Sequence, residues 1–224
     1  MSKPDVILIE EMFAMQKKFN DETNGECWVE GITKEGRTIN WKRCIYMESA
    51  ELIDSGNWKH WKSLNQPIDY DNIKVEFIDL WHFVMSELMI ELPVDAAASL
   101  IVDMLSCIPM NKALDYETIV LRTEHLMSIV LNDSSYNANK LIYSFTSLQG
   151  ELGLTVPELY KAYLVKNTLN SFRQNNGYKD GSYAKLIDGV EDNVHMYQLA
   201  DKLNSPTMKE LYSAYEEFYK EKIK

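Results

Sequence analysis

Two pairs of carboxylates in the N-terminal part of the chain have a spacing that suits metal binding. Glu48 and Glu51 form one pair, Glu76 and Asp79 the other, and two residues separate the members of each pair. A separation of three places both side chains on one face of a helix, about one turn apart. Apolar residues flank all four acids, so we expect them at the edge of a core, where like charges repel unless cations neutralise them. Hard divalent cations prefer oxygen ligands, and the pattern therefore predicts an Mg²⁺ site.

Two other interpretations of these acids compete with a magnesium site. Acids three residues apart are common on solvated helix faces, so a plain charged surface is the simpler explanation. A di-iron carboxylate bundle requires Glu-x-x-His on each of two helices. The chain contains no Glu-x-x-His and only one related motif, Asp79-x-x-His82. The sequence therefore disfavours iron.

The composition favours a helical protein. The 224 residues include only nine glycines and six prolines, and apolar positions recur at helical spacing. We predict an all-α fold in a single domain, 1–224, with one long loop at 21–40 and an exposed amphipathic helix at the C-terminal end. The expected helical segments are 5–20, 41–55, 69–91, several within 94–140, 138–148, 156–172 and 208–223.

Charge and cysteine content limit the partners and the compartment. A net charge of −11 argues against duplex DNA or RNA, but it is compatible with a nucleotide whose phosphates are received by metals and a local basic patch. Three cysteines without metal-ligand spacing indicate a reducing environment, and the first residues lack the pattern of a signal peptide. Acids and a proline interrupt the most apolar region, 83–110. We therefore expect a cytoplasmic protein that binds neither a membrane nor a nucleic acid polymer.

Amide and tryptophan side chains provide groups that suit a planar base. Gln16 and Asn20 lie four residues apart, hence on one helix face, and amides both donate and accept hydrogen bonds, as a nucleobase edge requires. Considered alone, ordinary exposed amides are the simpler explanation. Trp58 and Trp61 flank Lys59 and His60 in a short connection. Either tryptophan could fill a gap in the core or stack on a base.

A basic segment follows in an otherwise acidic chain. Residues 166–185 contain four basic side chains and one acid, together with tyrosines and two glycines. Cations, phenol hydroxyls and flexible backbone are the groups needed to hold triphosphate oxygens. A solvated turn explains the same composition equally well when the segment is considered alone. The candidate phosphate-binding residues are Lys166, Arg173, Asn176, Tyr178, Lys179 and Tyr183, and Asn193 could cap a helix or contact a sugar hydroxyl.

Taken in order, these motifs resemble the dimeric dUTPases of the Campylobacter type, in the all-α nucleoside triphosphate pyrophosphatase superfamily. The resemblance covers about 6–193. It rests on the two amides, the Glu-x-x-Glu and Glu-x-x-Asp motifs, Trp58-Lys59-His60-Trp61 and Arg173-x-x-Asn176-Gly177-Tyr178-Lys179. The resemblance implies a helical bundle with a mobile phosphate-binding segment, 166–193. It also implies a homodimer to which the helical region 94–165 contributes.

The resemblance also implies a reaction and residue roles. The enzyme would hydrolyse dUTP, and also dUDP, to dUMP by attack of water at the α-phosphorus, with Glu48 or Glu51 taking the proton. The four acids Glu48, Glu51, Glu76 and Asp79 would bind Mg²⁺, and Asp79 or Asn193 would contact the deoxyribose. Gln16 and Asn20 would read the uracil edge against Trp58 or Trp61. The phosphates would be held by Lys59, Lys166, Arg173, Tyr178, Lys179 and Tyr183.

Alternatives remain for both function and assembly. A sibling enzyme could prefer dCTP or accept several nucleotides, because amides can flip to suit cytosine. A helical partner-binding protein with residual activity is a further alternative. In 94–105, three consecutive alanines and the apolar Leu100, Ile101, Met104 and Leu105 suit a two-fold interface. The same segment could instead complete the core of the monomer.

Overall fold

The computed structural model describes residues 3–62 and 67–223. Within them the chain forms nine α-helices, one 3₁₀ helix and a two-stranded sheet, which confirms the all-α prediction. The helices are α1 (Lys3–Asn24), α2 (Trp41–Asp54), α3 (Tyr70–Glu91), α4 (Val94–Ser106), α5 (Tyr116–Leu131), α6 (Ala138–Glu151), α7 (Val156–Asn175), α8 (Asp192–Leu203) and α9 (Met208–Lys222). The strands are β1 (Leu186–Ile187) and β2 (Val190–Glu191).

Side-chain caps define where the two carboxylate-bearing helices begin. The side chain of Asn40 accepts a hydrogen bond from the Arg43 backbone N–H at the start of α2. Asp69 accepts in the same way from the Asn72 backbone N–H at the start of α3. Such caps satisfy N–H groups that have no partner within the helix. Local sequence therefore sets the register of the helices that carry the acids.

The prediction of one long loop at 21–40 is wrong. Helix α1 continues to Asn24, the 3₁₀ helix spans Glu26–Glu30, and a bridge pairs Ile32 with Thr38. Trp28 explains the order of this segment, because its ring is 1% exposed and its Nε1–H donates to Asp21 Oδ1 at 2.7 Å. A tryptophan buried in this way anchors the backbone around it.

The first compact unit of the chain is Met1–Leu159. In this unit α2 and α3 run antiparallel, since Lys42 approaches Glu87 while the later α2 residue Glu48 approaches Glu76. The opposite face of α3 forms the core, where Trp81 stacks on Phe145 of α6 with ring centroids 4.6 Å apart. Helix α3 therefore directs Phe77 and Trp81 to the core, and Glu76 and Asp79 toward Glu48 of α2.

The second compact unit is Tyr160–Lys224. Phe172 of α7 lies at its centre and makes edge contacts with Tyr183, Tyr212, Tyr215 and Tyr219. Helix α9 is amphipathic as expected, but it is not simply exposed, because its Leu211 and Tyr215 are fully buried. The prediction of one domain over 1–224 stays a prediction.

Among the described residues, no helix is both long enough and apolar enough to cross a membrane.

Candidate active site

Three carboxylates from two helices meet in the first unit. Ligand oxygens of Glu48 on α2 and of Glu76 and Asp79 on α3 all lie within 4.8 Å of one another, and each side chain is partly buried. We call these residues the carboxylate cluster. Its hard, anionic oxygens are the donor set that Mg²⁺ prefers, and neutralisation by a cation relieves the repulsion between them. The residues present therefore fit a magnesium site.

Glu51, the fourth predicted ligand, is not a member of the carboxylate cluster. Its side chain is exposed on α2, one turn beyond Glu48. Both acids of the α3 pair, Glu76 and Asp79, therefore belong to the cluster, whereas only Glu48 of the α2 pair does. The assignment of Glu51 as a ligand or as a base stays a prediction.

Asn72 supports the cluster and was missed at the level of sequence. Its Nδ2 donates to Ser55 Oγ at 2.7 Å, just after α2, and to Glu76 Oε1 at 3.3 Å on its own helix. One amide thus holds a cluster carboxylate and also ties the end of α2 to α3. The only sequence signal is its position, four residues before Glu76.

The negative charge of Glu48 also affects the pKa of a neighbouring thiol, that of Cys44. Cys44 lies one turn before Glu48 on α2. Burial, and secondarily the charge of Glu48, raise the pKa of the Cys44 thiol. The thiol is therefore protonated at neutral pH.

The two predicted base-reading amides form one buried network with α3. Gln16 Nε2 donates to Asn20 Oδ1 at 3.0 Å and to Ser86 Oγ at 3.2 Å, and Asn20 Nδ2 donates to Ser86 Oγ at 3.0 Å. His82 Nδ1 donates to Gln16 Oε1 at 2.7 Å. Both amides are 2% exposed, so the expectation of ordinary exposed amides is wrong. Sequence reasoning missed Ser86, and it noted His82 only when weighing iron.

The tryptophans of the connection after α2 are on the surface. Trp58 is 44% and Trp61 62% exposed, so neither fills the core. Trp58 Nε1 donates to Asp54 Oδ1 at 2.9 Å, and Lys59 forms an ion pair with the same carboxylate. The bond from Lys59 is the main reason that the pKa of Asp54 is lowered. The connection therefore offers apolar rings to a ligand, while Lys59 is already paired.

In the second unit, Arg173 is paired inside the protein. Its Nε and Nη2 donate to the two carboxylate oxygens of Asp192 at 2.8 and 2.7 Å. Arg173 is 8% exposed and Asp192 fully buried. Burial alone would lower the pKa of Arg173, but the hydrogen bonds and charge of Asp192 outweigh it and the pKa is raised. The pairing of Arg173 with Asp192 was not predicted from the sequence.

The other predicted phosphate-binding residues differ in accessibility. Tyr183 is buried, and its hydroxyl donates to Asp192 Oδ2 at 2.9 Å. Lys166 on α7 is also buried, whereas Tyr178 and Lys179 are exposed. The structure therefore leaves Tyr178 and Lys179 as the accessible members of this group. Two amides complete it: Asn176, whose Nδ2 donates to Phe172 O at 2.8 Å, and the partly buried Asn193.

Comparison with protein families agrees with the helical fold and the acidic site. A family model described as dUTPase matches residues 8–178. Because the match covers well over half of the chain, the chain belongs to this family and is an all-α dUTPase. It is accordingly an enzyme that hydrolyses dUTP, a dUTP diphosphatase.

The matched segment contains the carboxylate cluster, the amide network and the tryptophans, and it ends at Tyr178. Lys179, Tyr183 and Asn193 lie beyond it. No curated protein matches the chain significantly.

Proposed function

We propose that this dUTPase is Mg²⁺-dependent and that it cleaves dUTP at the α-phosphorus to give dUMP and pyrophosphate. The single observation that supports this most is the convergence of three carboxylates within 4.8 Å. Glu48, Glu76 and Asp79 would hold the metal. Bound there, Mg²⁺ supplies positive charge that acidifies a water molecule and balances charge on the phosphates.

We assign proton transfer and the orientation of the metal ligands to residues around the cluster. To Glu51, exposed one turn beyond Glu48 on α2, we assign the role of accepting a proton from the attacking water. Asn72 orients the Glu76 carboxylate through its hydrogen bond. Glu48 also bears negative charge on α2 and remains the alternative base.

We assign substrate recognition to two groups of side chains. In the first unit, Gln16 and Asn20 read the uracil edge, Trp58 or Trp61 packs on the ring, and Lys59 contacts a phosphate. The rest are assigned to phosphates or sugar: Lys166, Arg173, Asn176, Tyr178, Lys179, Tyr183 and Asn193. Because the base, the sugar and the α-phosphate carry the selection, dUDP should also be cleaved, with release of phosphate.

The test is hydrolysis of dUTP, dUDP, dCTP and dTTP with and without Mg²⁺, with the products identified. We expect dUMP from the first two substrates only, and only with the metal. Glu76→Gln removes one anionic ligand oxygen and should abolish turnover while helix content is retained. Its Tm without metal should not fall, because repulsion within the cluster is relieved. Preference for dCTP, or normal turnover by Glu76→Gln, would contradict the proposal.

We further propose a cytoplasmic homodimer. Support for the compartment comes from the three cysteines, all of which are free thiols. Support for the dimer comes from the apolar side of α4, discussed below.

A further inference from the structure

Ser86 lies at the centre of the buried amide network and has one hydrogen to donate. That hydrogen goes to the His82 backbone carbonyl at 2.8 Å. Towards Gln16 and Asn20, the Ser86 oxygen can therefore only accept. Both amides point their nitrogen at it, at 3.2 and 3.0 Å.

This arrangement allows only one orientation of each amide. If Gln16 flipped, its oxygen would face Ser86 Oγ, whose hydrogen already goes to the His82 carbonyl, and Asn20 Oδ1, which can only accept. If Asn20 flipped, its oxygen would face Ser86 Oγ and its nitrogen would face that of Gln16. Ser86 is fully buried, hence water cannot replace the bonds lost at its oxygen.

The fixed orientation determines what Asn20 can offer a ligand. Within the described residues, one Nδ2 hydrogen and one Oδ1 lone pair of Asn20 have no protein partner. Uracil presents an acceptor at O4 and a donor at N3. Cytosine presents the reverse in the same pose, a donor at N4 and an acceptor at N3. An amide that cannot flip therefore suits one base only.

We propose that Ser86 is a specificity-determining positioning residue, which fixes Asn20 and Gln16 in the orientation that accepts uracil and rejects cytosine. This role rests on the proposed function, in which these amides read the base. Ser86 acts through Asn20 and Gln16 and needs no contact with the nucleotide. The ligand class it selects is a deoxyuridine nucleotide.

The experiment compares kcat/KM for dUTP and dCTP in the wild-type enzyme, Ser86→Ala and a matched control, Ser49→Ala. Ser49 is also a fully buried helix serine, and its hydroxyl donates to the carbonyl four residues earlier, at Ile45 O, 2.7 Å away. Unlike Ser86, it accepts no hydrogen bond from another side chain among the described residues. We expect the preference for dUTP over dCTP to fall by about tenfold or more in Ser86→Ala, because its amides can flip. Ser49→Ala should keep the wild-type preference.

A general loss of rate with an unchanged preference would show a merely structural role for Ser86 and overturn the proposal. If Ser86→Ala fails to fold, Ser86→Cys applies the same criterion, since sulfur keeps the side-chain shape but is a weak acceptor. A wild-type enzyme inactive on dUTP would overturn the proposed function and this role with it. An unchanged preference in an active Ser86 variant overturns the role of Ser86 alone.

Discussion

At the scale of single residues, Asn72 connects the carboxylate cluster to the helices that support it. Asn72→Ala removes the hydrogen bonds to Glu76 and Ser55, and with them one restraint on the orientation of the Glu76 carboxylate. We expect the Mg²⁺ concentration for half-maximal activity to rise by about tenfold, the scale of a lost outer-shell contact, with little change in kcat at saturation. Activity and calorimetric metal titrations measure the shift.

Ser55→Ala is the matched control, because it removes the bond between Asn72 and the end of α2 but keeps the bond from Asn72 to Glu76. It also removes the local bond from the Ser55 hydroxyl to Glu51 O. It should shift the Mg²⁺ requirement less than Asn72→Ala does. Equal shifts in the two variants would show that the tie between α2 and α3, and not the bond to Glu76, controls metal affinity.

The buried carboxyl of Glu87 should make the stability of the fold depend on pH, independently of the carboxylate cluster. It is 7% exposed, with Lys42 Nζ 4.0 Å from its Oε1. Burial raises the pKa of Glu87 above the ordinary value of 4.5. A raised pKa stabilises the folded state at low pH, and this contribution is lost as pH rises through the folded pKa. Glu87→Gln should therefore gain Tm relative to the wild type as pH rises above the ordinary carboxyl pKa.

Glu158→Gln provides a control of opposite sign. Hydrogen bonds from Thr155 lower the pKa of Glu158, so its contribution is present above the ordinary carboxyl pKa and lost as pH falls. The Tm of this variant relative to the wild type should decrease as pH rises. Parallel trends in the two glutamine variants would contradict the assignment for Glu87.

Some of the site residues could be predicted from the sequence because of their chemistry, and others could not. Paired acids in apolar sequence are conspicuous, and three of the four proved to be neighbours. Asn72 and Ser86 are small polar residues whose importance depends on partners from other segments, and no spacing rule identifies such partners. Arg173 was recognised as a cation, but only the structure shows that Asp192, nineteen residues away, already accepts two of its hydrogen bonds.

At the scale of elements, the pair of Arg173 and Asp192 ties the end of α7 to the start of α8. Asp192→Asn removes the negative charge and leaves a buried guanidinium without compensation, which should destabilise the second unit by about 3 kcal/mol. Hydrogen exchange of α7–α9 measures the loss. Limited proteolysis within 176–191 should also become faster, because that segment lies between the paired residues.

Asp188→Asn makes the same chemical change in an exposed pair. Asp188 meets Lys222 at 2.7 Å on the surface, and asparagine tolerates its positive φ of 53°. Solvent screens such pairs, so we expect a much smaller effect on exchange and proteolysis. Similar effects of the two variants would show that burial does not strengthen the Arg173 pair.

Sequence reasoning located α2 and α3 to within one residue but misjudged other elements. The 21–40 segment is polar and contains glycines, and these features concealed the anchoring role of Trp28. Strands β1 and β2 have two residues each, too few for an alternating pattern to be recognised. Long periodic segments were therefore predictable, whereas order that depends on a single buried side chain was not.

At the scale of the whole molecule, the apolar side of α4 is the candidate dimer surface. Ala97, Ala98 and Ile101 are fully buried within the first unit, so this part of α4 completes the core of the monomer. The partly exposed Leu100 and Met104 border a groove of about 400 Å³. Ile101→Asp would therefore unfold the monomer and would not test the interface.

We predict a dimer at micromolar concentration that Leu100→Asp or Met104→Asp weakens by placing an unpaired charge in the interface. Light scattering should give twice the single-chain mass of 26.0 kDa for the wild type and a lower mass for these variants. Leu121→Asp, at an exposed leucine of α5 outside the groove, is the control and should remain dimeric. Active wild-type enzyme that stays at 26.0 kDa would rule out the dimer.

The pairing of α2 with α3 has a consequence for how the chain folds. The carboxylate cluster is assembled from two consecutive helices, within Glu48–Asp79, so a short loop closure brings its charges together early in folding. Without a cation, the transition state then includes part of the repulsion between the carboxylates. If Mg²⁺ binds the cluster as proposed, it should accelerate refolding as well as slow unfolding, and a newly synthesised chain should form the α2–α3 hairpin before α4–α9 have been made.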